Sequence, residues 1–191
     1  MSTISPTATV DFARRLGEQS VEMLDAPVSG GESGAIEGTL SIMAGGKREV
    51  FDRCLALFEA MGKNIVYTGP NGNGQKTKLV NQIVGSITLV AMAEGLRVAE
   101  KAGLPMEATL KAVSAGAAGS WMLSHLGPKV LAGNFDPGFS IRLHQKDLRL
   151  AAEFVKDLKV RAPGTQLSYE LFTEALDKGM GKLGNQGLYK I

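Results

Sequence analysis

Gly69-Pro70-Asn71-Gly72-Asn73-Gly74-Gln75-Lys76-Thr77-Lys78-Leu79-Val80-Asn81-Gln82 is the stretch on which the reading of this chain turns. Ahead of it, Asn64-Ile65-Val66-Tyr67-Thr68 reads as a strand, and behind it a helical pattern runs to about Ala102. Glycines, a proline and asparagines between the two make a turn, because they tolerate positive φ or pre-set a bend. On the helix, Lys78, Asn81, Gln82 and Gly85 fall at i, i+3, i+4 and i+7 and share one face. Leu79, Val80, Ile83, Val84, Ile87 and Val90 are expected on the opposite, core-facing side. A lysine, two carboxamides and a gap without a side chain therefore line up near a helix start.

Three readings of that face stand side by side. The first is a solvated lysine on an amphipathic helix whose glycine turn is only a turn. The second is a phosphate loop: Gly69 to Thr77 reads G-x-x-x-x-G-x-K-T. That spacing is one residue longer than the Walker pattern, which turns the lysine by about 100° around the helix, and no apolar run ending in Asp follows to hold magnesium. The third is a catalytic lysine with amides that hold a polar substrate.

Upstream, Ser5-Pro6 has the form of a helix start, serine as N-cap and proline at the first helical position, for a helix to about Glu18 with Val10, Ala13 and Leu16 on one side. Val21 to Ala26 and Thr39 to Ala44 are further strand candidates. Between them lies the loop Ser29-Gly30-Gly31-Glu32-Ser33-Gly34, where bare backbone N–H groups beside a hydroxyl would suit a carboxylate. An ordinary polar loop would read the same way. A helix from about Arg48 to Met61 carries Val50, Phe51, Leu55 and Phe58 on one stripe. The short connections predict mixed or antiparallel strand pairing.

From Asn73 onward the pattern is helical only. The long helix ends before Gly103, and further helices are expected at 105–115, 121–131, 141–158 and 164–177. The glycine-rich tail from Gly179 to Ile191 shows little periodicity and is expected to wrap or fray. Lys146 and Asp147 sit near the middle of the penultimate helix, and as letters they could be a solvated pair. His125 and His144 lack metal-ligand spacing and read as structural or peripheral, so no metal is expected.

Composition narrows the class. A chain of 191 residues can bury a real core, and a net charge of +2 from nearly balanced acids and bases leaves no footprint for nucleic acid. One cysteine, Cys54, excludes an internal disulfide framework and suits a reducing compartment, the cytoplasm. The start of the chain lacks signal-peptide character, and the most apolar run, about Ile83 to Ala93, is too short to span a bilayer.

Gly72-x-Gly74-x-x-x-Lys78-x-x-Asn81 resembles the catalytic-lysine motif of the β-hydroxyacid dehydrogenases, the family of 3-hydroxyisobutyrate dehydrogenase and tartronate semialdehyde reductase. Three more segments keep the family's order: Thr3-Ile4-Ser5-Pro6, Asp25-Ala26-Pro27-Val28-Ser29-Gly30-Gly31, and Lys146-Asp147-Leu148. The resemblance implies an α/β remnant of a Rossmann-type domain, of about three strands and two helices, over residues 1–72. A long connecting helix and an all-α substrate and dimerisation domain would follow over residues 73–191. It implies reversible hydride transfer between NAD or NADP and a small β-hydroxy acid or its semialdehyde. Lys78 would move the proton, Asn81 would orient the lysine or the substrate, and Ser29, Gly30 and Gly31, with Gln82 adjacent, would hold the substrate. Thr3 and Lys146 would face the cofactor, with Asp147 orienting Lys146. Asn81-Gln82 and Asn134-Phe135-x-Pro137-Gly138-Phe139 look most like the tartronate semialdehyde (2-hydroxy-3-oxopropionate) reductases.

Two features depart from the family's pattern. No Gly-x-Gly-x-x-Gly turn seats a pyrophosphate, so the chain is expected to correspond to the family's later part and to bind NAD(P)H weakly by itself. The tail Gly179-Met180-Gly181-Lys182-Leu183-Gly184-Asn185-Gln186 lacks the acid and serine of the family's closing motif. A non-catalytic helical assembly module is the competing class; a homo-oligomer through the helical domain is expected on either reading.

Overall fold

Each strand expected near the amino end needs a partner edge, and the computed structural model, which describes all residues Met1–Ile191, supplies a three-stranded sheet in the order β1-β2-β3. Strand β1 is Val28–Ser29, β2 is Leu40–Gly45 and β3 is Gly62–Gly69. β1 pairs antiparallel with β2, and β2 pairs parallel with β3, so the sheet is mixed. The parallel step is possible because α3, Arg48–Glu59, forms the crossover. Ala26, Leu40, Ile42, Ala44, Phe51 and Phe58 close the core between sheet and helix. Helix α1, Pro6–Gly17, starts as expected: the Ser5 hydroxyl accepts the Ala8 N–H and Pro6 occupies the first turn.

Two expectations in this half are corrected. Val21 to Ala26 is not a strand; only Asp25 bridges Gly45, and the pairing begins at Val28. The Ser29–Gly34 loop is not a loop throughout, since Gly31–Ile36 winds into a short helix, α2, whose Gly34 N–H donates to the Gly30 carbonyl. Glycine at 30 and 31 hid that turn, because propensity speaks against it while the main chain gains a helical bond.

The long helix α4, Asn73–Lys101, is continuous over 29 residues. The chain divides into two compact units, Met1–Asn81 and Gln82–Ile191, and the division falls within α4. The second unit holds α5 (Met106–Ala115), α6 (Trp121–Leu131), α7 (Ile141–Asp157) and α8 (Pro163–Asp177). Leu89, Met92, Leu96, Ile141, Leu148 and Phe172 lie at the centre of its core. The tail wraps: two 3-10 turns, Met180–Lys182 and Asn185–Lys190, bury Asn185, Gln186, Gly187 and Leu188.

Burial along α4 reverses part of the expected inside and outside. Lys78, Gln82 and Ser86 are buried with Leu79, Leu89 and Val90, whereas Val80, Val84 and Ile87 are 54%, 62% and 41% exposed. Period alone cannot say which face of a helix is the inner one when a polar face has partners of its own. The Ile83–Ala93 run also belongs to a longer rod. By length and composition α4 is apolar enough to cross a membrane, with 44% of its most apolar window buried in the protein.

Candidate active site

Within the first unit, the site residues hang on how α4 is started. Gly72 has φ +90°, a conformation that favours glycine, and a Cβ there would press on Val10. Gly74 has no such φ; its reason is closeness. A Cβ at Gly74 would stand on the carbonyl oxygens of Asp25 and Met43. Strand end and helix start therefore meet backbone to backbone.

Asp25, given no role of its own by the sequence, is 3% exposed and accepts the Gly72 N–H at Oδ1 (2.8 Å) and the Gln75 N–H at Oδ2 (3.0 Å). Gln75, equally unforeseen, is 2% exposed; its Oε1 accepts the Ile4 N–H at 3.1 Å and its Nε2 donates to the Ser2 carbonyl at 2.9 Å. Thr3, half-buried, lies between those two anchored residues. A signal existed for both. A carboxylate set among apolar residues needs donors, and a helix start preceded by glycine needs an acceptor from elsewhere.

One and two turns further on stand Lys78, 8% exposed, and Asn81, half-buried. Ser29 ends β1 half-buried, and Gly30 and Gly31 open α2 exposed. So the unit carries Lys78, Asn81, Ser29, Gly30, Gly31 and Thr3, and it ties the segments bearing Thr3 and Lys78 together through Gln75.

In the second unit the structure brings Gln82, Lys146 and Asp147 together. Gln82 Nε2 donates to Asp147 Oδ2 at 2.7 Å, and both side chains are buried. Lys146 Nζ lies 2.7 Å from Asp147 Oδ1, with the lysine side chain 39% and the carboxylate 3% exposed. Oδ1 takes no aligned hydrogen bond, so this contact between helix neighbours is an ion pair of oblique approach. A buried carboxylate held by an amide and a half-open ammonium gives a fixed cation at the protein surface. His144 on α7 is 2% exposed, meets Asn185 Nδ2 at Nδ1 (3.3 Å) and packs against Phe139 and Phe172. His125 stacks on Trp121 at the surface.

Chemically, the first unit offers a sequestered amine with a neighbouring amide and a Ser-Gly-Gly segment. The second offers an outward cation anchored on a buried acid. Comparisons with known proteins identify the family. Residues 72–191 match the model described as the NAD-binding domain of NADP-dependent 3-hydroxyisobutyrate dehydrogenase. Residues 1–69 match that of the NAD binding domain of 6-phosphogluconate dehydrogenase. The chain is 45% identical over 188 residues to 2-hydroxy-3-oxopropionate reductase of Escherichia coli (strain K12), covering 98% of this chain and 64% of that protein. It is 42% identical over 191 residues to an uncharacterized oxidoreductase of Bacillus subtilis (strain 168), covering 100% and 66% respectively. A crystal structure of 3-hydroxyisobutyrate dehydrogenase from Salmonella typhimurium superposes with a TM-score of 0.92 at 30% identity, covering 99% of this chain and 67% of that one. The chain thus spans 64–66% of the length of these curated relatives.

Proposed function

This chain belongs to the NAD(P)-dependent β-hydroxyacid dehydrogenases, the family of 3-hydroxyisobutyrate dehydrogenase, and we propose that it carries the proton-handling part of their reaction. The substrate is a small β-hydroxy acid or its semialdehyde, tartronate semialdehyde (2-hydroxy-3-oxopropionate) first and 3-hydroxyisobutyrate second; the 45% identity to the Escherichia coli reductase supports that order. Residues 1–72 act as the closing part of a nucleotide-binding domain and residues 73–191 as connecting helix with substrate and dimerisation domain.

The observation that carries the proposal is the burial of Lys78 on α4. An ammonium there gives its proton from Nζ to the substrate oxygen as a carbonyl becomes an alcohol, and the neutral amine takes it back in oxidation. Lysine titrates near 10.4 in water, so proton exchange near neutrality requires desolvation or a nearby cation to disfavour the charged form. Asn81 orients the amine or the substrate. Ser29, Gly30 and Gly31 hold the carboxylate, with Gln82 as an adjacent contact.

Each unit, taken by itself, carries a residue suited to NAD or NADP. Lys146, fixed by Asp147 and partly open to solvent, is a cation suited to a carboxamide or phosphate oxygen, and Thr3 contributes a hydroxyl. When bound, the cofactor supplies or accepts the hydride. Exposed Val80, Val84 and Ile87 on α4 support a second copy of this chain as partner; the cytoplasm is the proposed compartment, supported by the single cysteine, Cys54.

Lys78→Ala tests the reading. At saturating NAD(P)H, kcat for semialdehyde reduction is expected to fall about 10²–10⁴-fold with substrate affinity largely intact. Near-normal kcat would refute the assignment.

A further inference from the structure

Helix α4 begins without a cap of its own. Gly72 precedes Asn73 and has no side chain to offer, yet the first amides of a helix lack intrahelical partners. The acceptor comes from Asp25, 47 residues before Gly72, whose two oxygens take the Gly72 and Gln75 N–H groups at 2.8 and 3.0 Å. Asp25 is itself immobilised, because its main chain exchanges hydrogen bonds with Gly45 at 3.0 and 2.8 Å. No added bulk fits there: a Cβ at Gly45 would lie 2.8 Å from Asp25 Oδ1 and 2.9 Å from the Gly74 nitrogen.

We propose that Asp25 is a positioning residue for Lys78, and this rests on Lys78 as the proton-transfer group. The carboxylate caps α4 from across the sheet and sets the helix's rotation about its own axis. Gln75 and Lys78 are three positions apart, one turn, so an error in rotation passes directly to the amine. A side-chain tip near the helix's outer radius moves roughly 3 Å for a rotation of about 30°. A displacement of about 1 Å can already cost on the order of 10²-fold in rate. The side chain of Gln75 meanwhile binds Ser2 and Ile4, so one buried pair, Asp25 and Gln75, fixes the main chain on both sides of Thr3 and ahead of Lys78.

The unaltered chain gives the first test. NMR scalar couplings across the two hydrogen bonds, from the Gly72 and Gln75 amide nitrogens to the Asp25 carboxyl carbon, are expected; their absence overturns the proposal. In Asp25→Asn an NH2 group replaces one acceptor, and exchange of the amides from Gly72 to Lys78 is expected to quicken about tenfold. Acylation of Lys78 by acetic anhydride should rise by a similar factor, while Lys111 and Lys129 keep their rates. Uniformly faster exchange across Met1–Asn81 would mark Asp25 as a general fold residue and overturn its positioning role.

At saturating NAD(P)H, kcat of Asp25→Asn should drop about 10–100-fold with KM within about twofold, and the loss should vanish in a Lys78→Ala background. An equal fold-loss in both backgrounds overturns the proposal. Should Lys78→Ala alone leave turnover unchanged, the proton-transfer reading falls instead, and the couplings and acylation rates still decide whether Asp25 sets the lysine.

Discussion

Two buried polar pairs, Asp25 with Gln75 in one unit and Gln82 with Asp147 in the other, serve different ends. In the sheet-bearing unit the side chains of Asp25 and Gln75 bond main-chain groups of distant segments. In the helical unit Gln82 and Asp147 bond side chain to side chain, with Lys146 as an outer counter-ion. The first arrangement fixes where the backbone runs. The second fixes where one charge points while regular helices look after their own backbone. The same degree of burial should therefore answer differently to substitution, and three measurements, beyond the larger rate losses expected at Lys78 and Asp25, probe that difference.

Gly74→Ala should cost the most stability, about 3 kcal/mol, because its methyl meets the Asp25 and Met43 carbonyl oxygens and the hydrogen-bonded Asp25 carboxylate. Urea unfolding of the variant checks this, and a loss under about 1 kcal/mol would show that strand and helix can part cheaply. Asp147→Ala should cost about 2 kcal/mol, chiefly from leaving the buried Gln82 amide without its acceptor, with Lys146 contributing little because it is partly solvated. Asp147→Asn, which keeps an oxygen for Gln82, should recover most of that stability while losing the hold on Lys146. If Asn and Ala prove equally damaging, the ion pair matters more than the amide bond.

The smallest effect is a titration. The Tyr189 hydroxyl donates to Glu100 Oε2 at 2.7 Å, and that bond, aided by burial and by the charge of Glu100, raises its pKa above the ordinary 10.0. A phenol raised in the folded state contributes stability that is intact below its unfolded value, near 10, and fades as pH climbs through the folded one. Glu100→Gln should bring the Tyr189 ultraviolet titration back toward 10.0.

Much of this was legible in the letters. The strand-turn-helix around Gly69 to Gln82, the Ser5-Pro6 start and the succession of helices after Asn73 all rest on local chemistry, and the structure has them. Connection length left mixed and antiparallel pairing open, and the structure is mixed. What escaped depends on contacts between segments far apart in the chain. The inner face of α4 could not be identified from its period, because Lys78 and Gln82 go inside while Val80 and Val84 stay out. Asp25 looked like the end of a strand, and only the fold brings the uncapped start of α4 to its carboxylate. The tail offered no period to read, since 3-10 turns held by Leu188 and by Gln186, which donates to the Asn134 and Asp136 carbonyls, have none.

Bare main chain at Gly45 facing bare main chain at Gly74 has a consequence for protein engineering. Loops are commonly exchanged between relatives one at a time, but here residues 23–31, 43–46 and 69–78 interlock around the Asp25 carboxylate, with main chain pressed close to main chain. A chimera should transplant the three as a single cassette, and a saturation library should leave both glycines untouched and spend its diversity at Gln82 and Asn81.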